Sequence, residues 1–578
     1  IEHEVIMEAG FWDGKRTPGV SDRVDLDKFK NLSEVIEYSV KSYADKPAYT
    51  SLGKMVTFND IDQLSNVFAA YLQNHTNLKA GDKIALQMPN LIQYPVVAYG
   101  AIKAGLVIVN TNPLYTAREM KHQFNDSGVK ALVCLNMVGH LVEEIIQDSP
   151  IEYLIITELA DMLPWPKRLL LNLAMKHVKK LVQPYKLPQA VPFTKAMKLG
   201  EPSTFTKPAA PNRDDIAILQ YTGGTTGVAK GAMLTHRNLI SNVLQTSNVL
   251  TQLDKDGDPI LETTGANAVA PLPLYHIYAF TVHMMCLFQL GGHSVLIVNP
   301  RDMDTFVKAL IPHKLNIFVG LNTLFVGLMN HPQFKQLDFS KLKMTMSGGT
   351  ALQAVVAERW KEVTGCSISE GYGLSETSPV ASFNPAGEYA KIGSVGLPMV
   401  STAMKIIDGE GNELPLKERG ELCIKGPQVM KGYLNQPEAT AEVLSEDGWF
   451  RTGDIAIIDE SGYVKIVDRL KDMILVSGFN VYPNEIEDIV SKHEKVLNCA
   501  VIGVPDDKTG EAIKLFIIAK DKELTAAEVQ EYCKLNLTAY KVPKQIEFRD
   551  ELPVTPVGKV LRKDLRAEEL KKRKALAS

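Results

Sequence analysis

The sequence offers no paired cysteines. Cys134, Cys286, Cys366, Cys423, Cys499 and Cys533 are scattered over 578 residues and none forms a C-x-x-C pair. That argues against a zinc or redox motif and reads as a reduced, intracellular chain. Positive charge is not in excess either. Net charge is −4 and the pI is near 6.4, which leaves no global basic surface, and nucleic acid is not expected as a partner. No uninterrupted apolar run reaches membrane-spanning length. The nearest candidate, Ile277–Val298, contains His283, Gln289, Gly291, Gly292 and His293; it reads as a buried helix, a glycine turn and a strand at Ser294–Val298. The opening Ile1–Asp13 carries Glu2, Glu4 and Glu8 and no apolar stretch of signal-peptide length, so a cytoplasmic chain is expected. No internal repeat or low-complexity tract stands out.

What is present is an ordinary globular balance, 45% hydrophobic and 22% charged, in a chain long enough for several domains. Short apolar runs alternate with amphipathic stretches through the first four-fifths. Strands are predicted at Lys83–Met88, Leu106–Asn110, Ala131–Cys134, Tyr153–Ile156 and Asp214–Tyr221, with helices at Gln93–Ala104 and His236–Asn248. Such alternation predicts an α/β fold with largely parallel sheets. After about Ile392 the texture becomes short strands between glycine turns, at Ala403–Ile407, Gly420–Lys425 and Gly462–Val467, a small β subdomain. Asp468–Asp472 is a charged junction. Beyond it lies a segment of ordinary single-domain size, with a helix at Asn484–Lys492, strands at Ala500–Val504 and Leu515–Ala519, a helix at Ala526–Leu535 and a charged tail, Ala567–Ser578, expected to fray.

Four motifs carry chemistry. Tyr221-Thr-Gly-Gly-Thr-Thr-Gly-Val-Ala-Lys-Gly231 packs hydroxyls, four glycines and Lys230 into eleven positions. Glycines let a backbone approach a polyphosphate closely, and successive N–H groups then form an anion-binding nest. It is not a Walker A loop, because Lys230 lies between Ala229 and Gly231. The second is Ser369-Glu-Gly-Tyr-Gly-Leu-Ser-Glu376, preceded by Ser347-Gly-Gly-Thr350. Tyr372 offers a flat face for a purine, and Glu376 offers oxygen to Mg²⁺ beside phosphates; on its own this also reads as two glycine turns with a solvated Glu. The third is Gly448-Trp-Phe-Arg-Thr-Gly-Asp454, with Arg469 fifteen positions on. A carboxylate accepting from vicinal hydroxyls holds a ribose, though Asp454 alone also reads as an Asx turn. The fourth is Pro553-Val-Thr-Pro-Val-Gly-Lys-Val-Leu-Arg562, where Lys559 follows Gly558 in what reads as a mobile loop. That cation is either solvated or brought to a phosphate.

Together and in this order, these motifs resemble the adenylate-forming superfamily of acyl-CoA synthetases, peptide-synthetase adenylation domains and firefly-type luciferases. The resemblance covers nearly the whole chain and includes Pro273-Leu-Tyr-His-Ile-Tyr278, Val476-Ser-Gly-Phe-Asn-Val-Tyr-Pro483 and Lys541-Val-Pro543. Pro113-Leu-Tyr115, Asn299-Pro-Arg-Asp302 and Asn322-Thr-Leu-Phe325 narrow it to the bacterial long-chain acyl-CoA ligases of fatty-acid degradation. It implies a large N-terminal domain over 1–468, a hinge at 469–472 about Lys471, and a small mobile α+β lid over 473–578. It also implies two half-reactions, in which a carboxylate attacks the α-phosphate of ATP and the CoA thiol then displaces AMP.

Site residues follow from the same resemblance. Tyr221, Thr222, Gly223, Gly224, Thr225, Thr226, Gly227, Val228, Ala229, Lys230, Gly231 and Ala232 would surround the phosphates. Gly348, Gly349, Glu370, Gly371, Tyr372, Gly373 and Ser375 would line the adenine pocket. Glu376, with Thr226, would engage Mg²⁺, while Asp454 and Arg469 would take the ribose. Lys559 would steady charge at the α-phosphate, and His276 would lie near the acyl and CoA channel. Ser375 stands where the family usually has Thr, which keeps the hydroxyl and loses a methyl. Sibling readings are an acyl-AMP ligase serving a carrier protein, or a luciferase-type oxygenase. A silent lipid- or nucleotide-binding protein is the reading from another class.

Pro164–Val182 has no acidic residue. On a helix, Leu170, Ala174, Val178, Leu181 and Val182 share one face and Arg168, Asn172, Lys176, Lys179 and Lys180 the other. With Trp165 at one end, this is the make-up of an interfacial anchor on the inner face of a membrane, and equally of a surface helix on the protein's own core. Walls of an acyl tunnel are expected in Tyr278–Leu287 and Leu321–Leu328. Relatives of this kind often form homodimers.

Overall fold

The computed structural model describes residues 9–222, 228–555 and 558–577. Two sheets build the body. One runs in the order Val191–Pro192, Tyr153–Thr157, Ala131–Leu135, Lys83–Gln87, Val107–Asn110, Ile216–Thr222, Lys230–Thr235, parallel except for the last pair. The other has nine strands among the described residues, with a parallel centre of Ile368–Gly373, Met344–Ser347, Leu315–Gly320, Asn267–Ala270, His293–Leu296 and Pro47–Ser51 and antiparallel pairs at both edges. The unbroken apolar runs that predicted these strands are what a sheet covered on both faces requires. Val107–Asn110 and Ala131–Leu135 are buried at every position.

A four-stranded antiparallel sheet follows, ordered Ala403–Ile407, Gly420–Lys425, Phe450–Ile458, Val464–Arg469. The last unit is a five-stranded sheet in which Ile474–Val476, Phe479–Val481, Val496–Asp506, Gly510–Ala519 and Gln545–Phe548 pair with one another. The helices Pro483–Ser491, Ala526–Asn536 and Arg562–Ala577 accompany it. Its interior is its own: Ile486, Val501, Leu515 and Val529 form one cluster and Ala500, Phe516 and Leu565 another, neither merging with the core of the body.

Three expectations change. The strand Ile216–Thr222 does not lead directly into the helix His236–Val249. Lys230–Thr235 intervenes as a second strand, and the Thr235–Asn238 capping box then starts the helix. The tail is a helix as far as Ala577 rather than a frayed end, tied down by Leu565, Glu569 and Lys572. The anchor segment is helical only over Lys167–Leu173 and continues as one wide turn over Ala174–Val178. None of its residues is buried. The inward residue is Asn172, predicted on the solvent face, because its amide accepts from Ala160 N at 2.9 Å and donates to Glu158 Oε2 at 3.2 Å. No helix among the described residues is long and apolar enough to cross a membrane.

Candidate active site

The glycine-rich stretch joins two paired strands, Ile216–Thr222 and Lys230–Thr235. Thr222 stands opposite Lys230 in the antiparallel pair. Gly223, Gly224, Thr225, Thr226 and Gly227 lie outside the described residues. Tyr221 turns its ring into the core of the body against Gly231, and its hydroxyl donates to Asp126 Oδ2 at 2.7 Å. Its side chain packs inside the fold, as does that of fully buried Ala232. Ala229 offers its carbonyl to His122 Nε2 at 3.0 Å, and Val228 is exposed.

The segment Lys431–Leu434 runs along the outer edge of this hairpin, with Met233 N bonded to Gly432 O and Leu434 N to Gly231 O. That placement sets Tyr433 between two motifs. The Lys230 ammonium lies 5.2 Å from the centre of its ring, and its hydroxyl donates to Glu376 Oε1 at 2.7 Å. Sequence reasoning missed Tyr433; its one signal, a tyrosine after Gly432, looks like any turn. Glu376 sits in the short turn Ser375–Thr377. It opens on a cavity of about 540 Å³ whose lining includes Tyr433, Phe450, Arg451, Thr452 and Gly453. Arg451, also missed, is held there by Glu421 at 2.6 Å.

The other two motifs close the far side. Tyr372, on the strand Ile368–Gly373, donates to Asp454 Oδ2 at 2.5 Å, and Arg469 Nε lies 3.1 Å from Asp454 Oδ1. Asp454 and Arg469 are cross-strand partners, so the carboxylate is on a strand rather than in an Asx turn. Its charge holds the Arg469 guanidinium above its ordinary pKa, and burial followed by that same charge pushes the Tyr372 phenol far up. Gly373 is obligatory, since a Cβ there would lie 2.0 Å from Pro379 O; one at Gly371 would press on Phe383 at 3.3 Å. Glu370 accepts from Leu352 N at 3.2 Å, and burial pushes its carboxyl up to about 8. It braces the loop after Ser347 as a largely protonated acid.

Lys559 belongs to a small hairpin, not a free loop. Val554 bridges Val560, and Lys559 N donates to Thr555 Oγ1 at 3.0 Å. Gly558 O accepts from Thr323 of the body at 3.3 Å. The lysine stem passes Gly349, whose φ is +82° and where an added Cβ would lie 3.6 Å from Lys559 Cε; a Cβ on neighbouring Gly348 would lie 3.1 Å from the Tyr278 ring. Burial and then Arg469 depress the ammonium to about 8, against the pull of Asp454 and Glu376. His276, whose Nδ1 accepts from Tyr278 N at 3.2 Å, is depressed to about 4 by its enclosure and by Lys559. It is neutral at physiological pH. Tyr433 thus links Lys230 to Glu376, Tyr372 and Arg469 converge on Asp454, and Lys559 lies within electrostatic reach of Arg469, Asp454 and Glu376.

The profile of the AMP-binding enzyme family matches residues 36–434, and that of the AMP-binding enzyme C-terminal domain matches residues 485–559. The chain belongs to the AMP-binding enzyme family. Within it, the chain is 46% identical to the long-chain-fatty-acid–CoA ligase of Salmonella typhimurium, over 96% of this chain and 98% of the relative. It is 38% identical to the enzyme of that name from Bacillus subtilis, over 93% and 95%. In fold it is similar to an anthranilate CoA ligase, AuaEII, in complex with anthranoyl-AMP, with a TM-score of 0.84, 24% identity and 95% and 100% of the two chains covered. Family membership accounts for the α/β body followed by a small C-terminal unit.

Proposed function

We propose that the protein is a long-chain fatty acid–CoA ligase. The fatty-acid carboxylate attacks the α-phosphorus of ATP and diphosphate leaves; the CoA sulfur then attacks the acyl carbonyl and AMP leaves. The observation that carries the two-step reading is the position of Lys559. The C-terminal unit brings a half-buried cation to a crevice otherwise built by the body, within electrostatic reach of Asp454, Arg469 and Glu376. In the roles we assign, Lys230 and the glycine-rich stretch before it hold the β- and γ-phosphates, Tyr372 and the Gly348–Gly349 loop border adenine, and Asp454 with Arg469 holds the ribose. Lys559 donates to oxygens that gain charge as the mixed anhydride forms. A preorganised donor of that kind contributes several kcal/mol to the transition state.

Mg²⁺ fits the donor set. Among the described residues no group of three or more His, Cys, Asp or Glu side chains forms a metal cage, and Mg²⁺ is commonly bound through one or two carboxylates together with substrate phosphates. Glu376, steadied by Tyr433 through one oxygen, is the carboxylate we assign to it, with Thr226 as the hydroxyl. When bound, the ion neutralises phosphate charge. We assign 1–468 to the adenylating domain, 469–472 to the hinge and 473–578 to the lid.

Palmitate-dependent diphosphate release without CoA, followed by AMP and thioester on adding CoA, tests the reading. Adenylate formation with no thioester would make it an acyl-AMP donor, and absence of diphosphate release a binding protein. A fatty-acid series from acetate upward reads the chain-length preference.

We further assign Pro164–Val182 to reversible contact with an anionic membrane from the cytoplasmic side. Trp165, Leu170 and Val178 are 72%, 66% and 79% exposed, flanked by Lys167, Arg168, Lys176, Lys179 and Lys180. An apolar face beside cations is what binds a lipid interface. Sedimentation with phosphatidylglycerol vesicles at low salt tests this; no sedimentation removes the assignment.

A further inference from the structure

Lys559 has to leave. Its stem and the Gly558–Thr323 contact close the crevice beside His276, on the side where a thiol must reach the acyl carbonyl. The C-terminal unit has its own cores and follows directly on Arg469 through the short turn Leu470–Asp472. Such an arrangement moves as a rigid body unless its interface holds it. What holds it can be read residue by residue. The helix Pro483–Ser491 carries most of the polar contacts: Arg419 to Glu485 at 2.8 Å and Ala354 N to Asp488 at 3.4 Å. Ile455 and Val467 of the body pack on Tyr482 in a small apolar cluster. The Arg419 pair is well exposed, and exposed pairs of this kind contribute little.

Asp468 is different. It ends the body's four-stranded sheet and its side chain has no exposed surface. Its Oδ2 accepts from Asn484 N of the C-terminal unit at 2.7 Å, and its Oδ1 lies 3.7 Å from Arg562 Nη1. Arg562 is three residues from Lys559 and opens the last helix. Its remaining contacts are Asp472 at 3.3 Å, Asn484 Oδ1 at 2.8 Å and Glu487 at 2.8 Å. Arg562 therefore keeps carboxylate partners within its own unit when that unit turns, whereas Asp468 loses both of its partners across the boundary. Asp468 Oδ1 also accepts from Arg469 N at 2.8 Å, a bond that does not depend on the lid, but its bonds across the boundary exist only when Lys559 is in the site.

We propose that Asp468, bound across the domain boundary by Asn484 N and Arg562, is the latch that holds the lid in its Lys559-in position, a positioning residue for the first half-reaction alone. This rests on the two-step reading above. Asp468→Asn removes the charge and keeps an acceptor oxygen, so the latch is open to a near-isosteric test.

The experiment uses the full chain with dyes on Glu201→Cys and Leu535→Cys, two exposed positions, the native cysteines all being buried. Single-molecule energy transfer reads the population of lid positions in the presence of ATP. Asp468→Asn should shift that population and slow palmitate-dependent diphosphate release about fivefold or more, within the usual range of conformational coupling. The rate of thioester formation from supplied palmitoyl-adenylate should be unchanged or raised. Arg562→Lys, which keeps the charge and loses the fork, should do the same more weakly and guards against misfolding of the first variant. The latch is overturned if either folded variant leaves the lid population unchanged or slows both half-reactions alike. Should the parent protein release no diphosphate, the two-step reading fails, while the energy-transfer shift still decides whether Asp468 holds the lid.

Discussion

Two charged groups in the crevice, Asp454 and Lys559, are held in opposite ways. Asp454 sits mid-strand, and both its oxygens are engaged, by Tyr372 and by its cross-strand neighbour Arg469. Lys559 rides a two-stranded turn, contacts the body through one carbonyl of its neighbour Gly558, and has its pKa pulled down to about 8 by burial and Arg469. In the roles proposed above, a group that binds substrate throughout the cycle is fixed by the sheet that carries it. A group needed for one step is carried on a separable unit, and its cation is costly to bury until a polyanion arrives.

The sharpest way to break this contrast is Lys559→Ala. Diphosphate release should fall by about 10²–10³, with thioester formation from supplied acyl-adenylate spared; equal loss in both steps would place the lysine with the permanent binding groups. Asp454→Ala should weaken both steps through nucleotide affinity and leave Arg469 unpaired, raising the KM for ATP by roughly ten- to a hundredfold, the cost of an uncompensated charged partner. An effect confined to kcat would contradict it. The pH profile separates the two next. A lysine whose pKa is lowered to about 8 loses its cation as pH rises, so kcat/KM for adenylation should drop about fivefold between pH 8 and 9, since that parameter reports the free enzyme. Thioester formation from supplied adenylate should show no such limb. Tyr433→Phe should have the smallest effect, a few-fold rise in the Mg·ATP requirement from one lost hydrogen bond to Glu376, and no change in the lid-dependent ratio of steps.

The sequence was most legible where period and composition carry the physics. Gln93–Lys103 and Ala131–Leu135 appear within a residue of expectation because fully buried segments must be apolar throughout. Ala403–Ile407 and Gly420–Lys425 appear at their predicted bounds, set by glycine and polar turns. The crevice was legible as motifs but not as geometry. Nothing local marks Tyr433 or Arg451, whose roles exist only once Lys431–Leu434 lies along the Lys230–Thr235 strand and Glu421 faces Arg451. The Lys230–Thr235 strand was obscured by the glycines before it, which look like the entry to a helix. The direction of the Tyr221 ring was not legible because a strand alternates its faces, and the face that met the core was not visible without the neighbouring Gly231 and Asp126. On Lys167–Leu173 the pattern put Asn172 on the polar face, whereas it bonds to Ala160 N and Glu158 while Leu169, Leu170 and Leu173 stay exposed; the partners of an amide are not visible in a helical period.

Gly349 has a consequence of its own. The berth in which the lysine stem lies is cut into the body, in a backbone turn locked at positive φ, and not into the part that travels. If the lid swings out as proposed, the walls of that berth stay where they are, because Gly349 has no side chain with which to fill it. The departing amine would then leave behind an open channel bordered by Gly349 and His276, ready-made for the next nucleophile to enter.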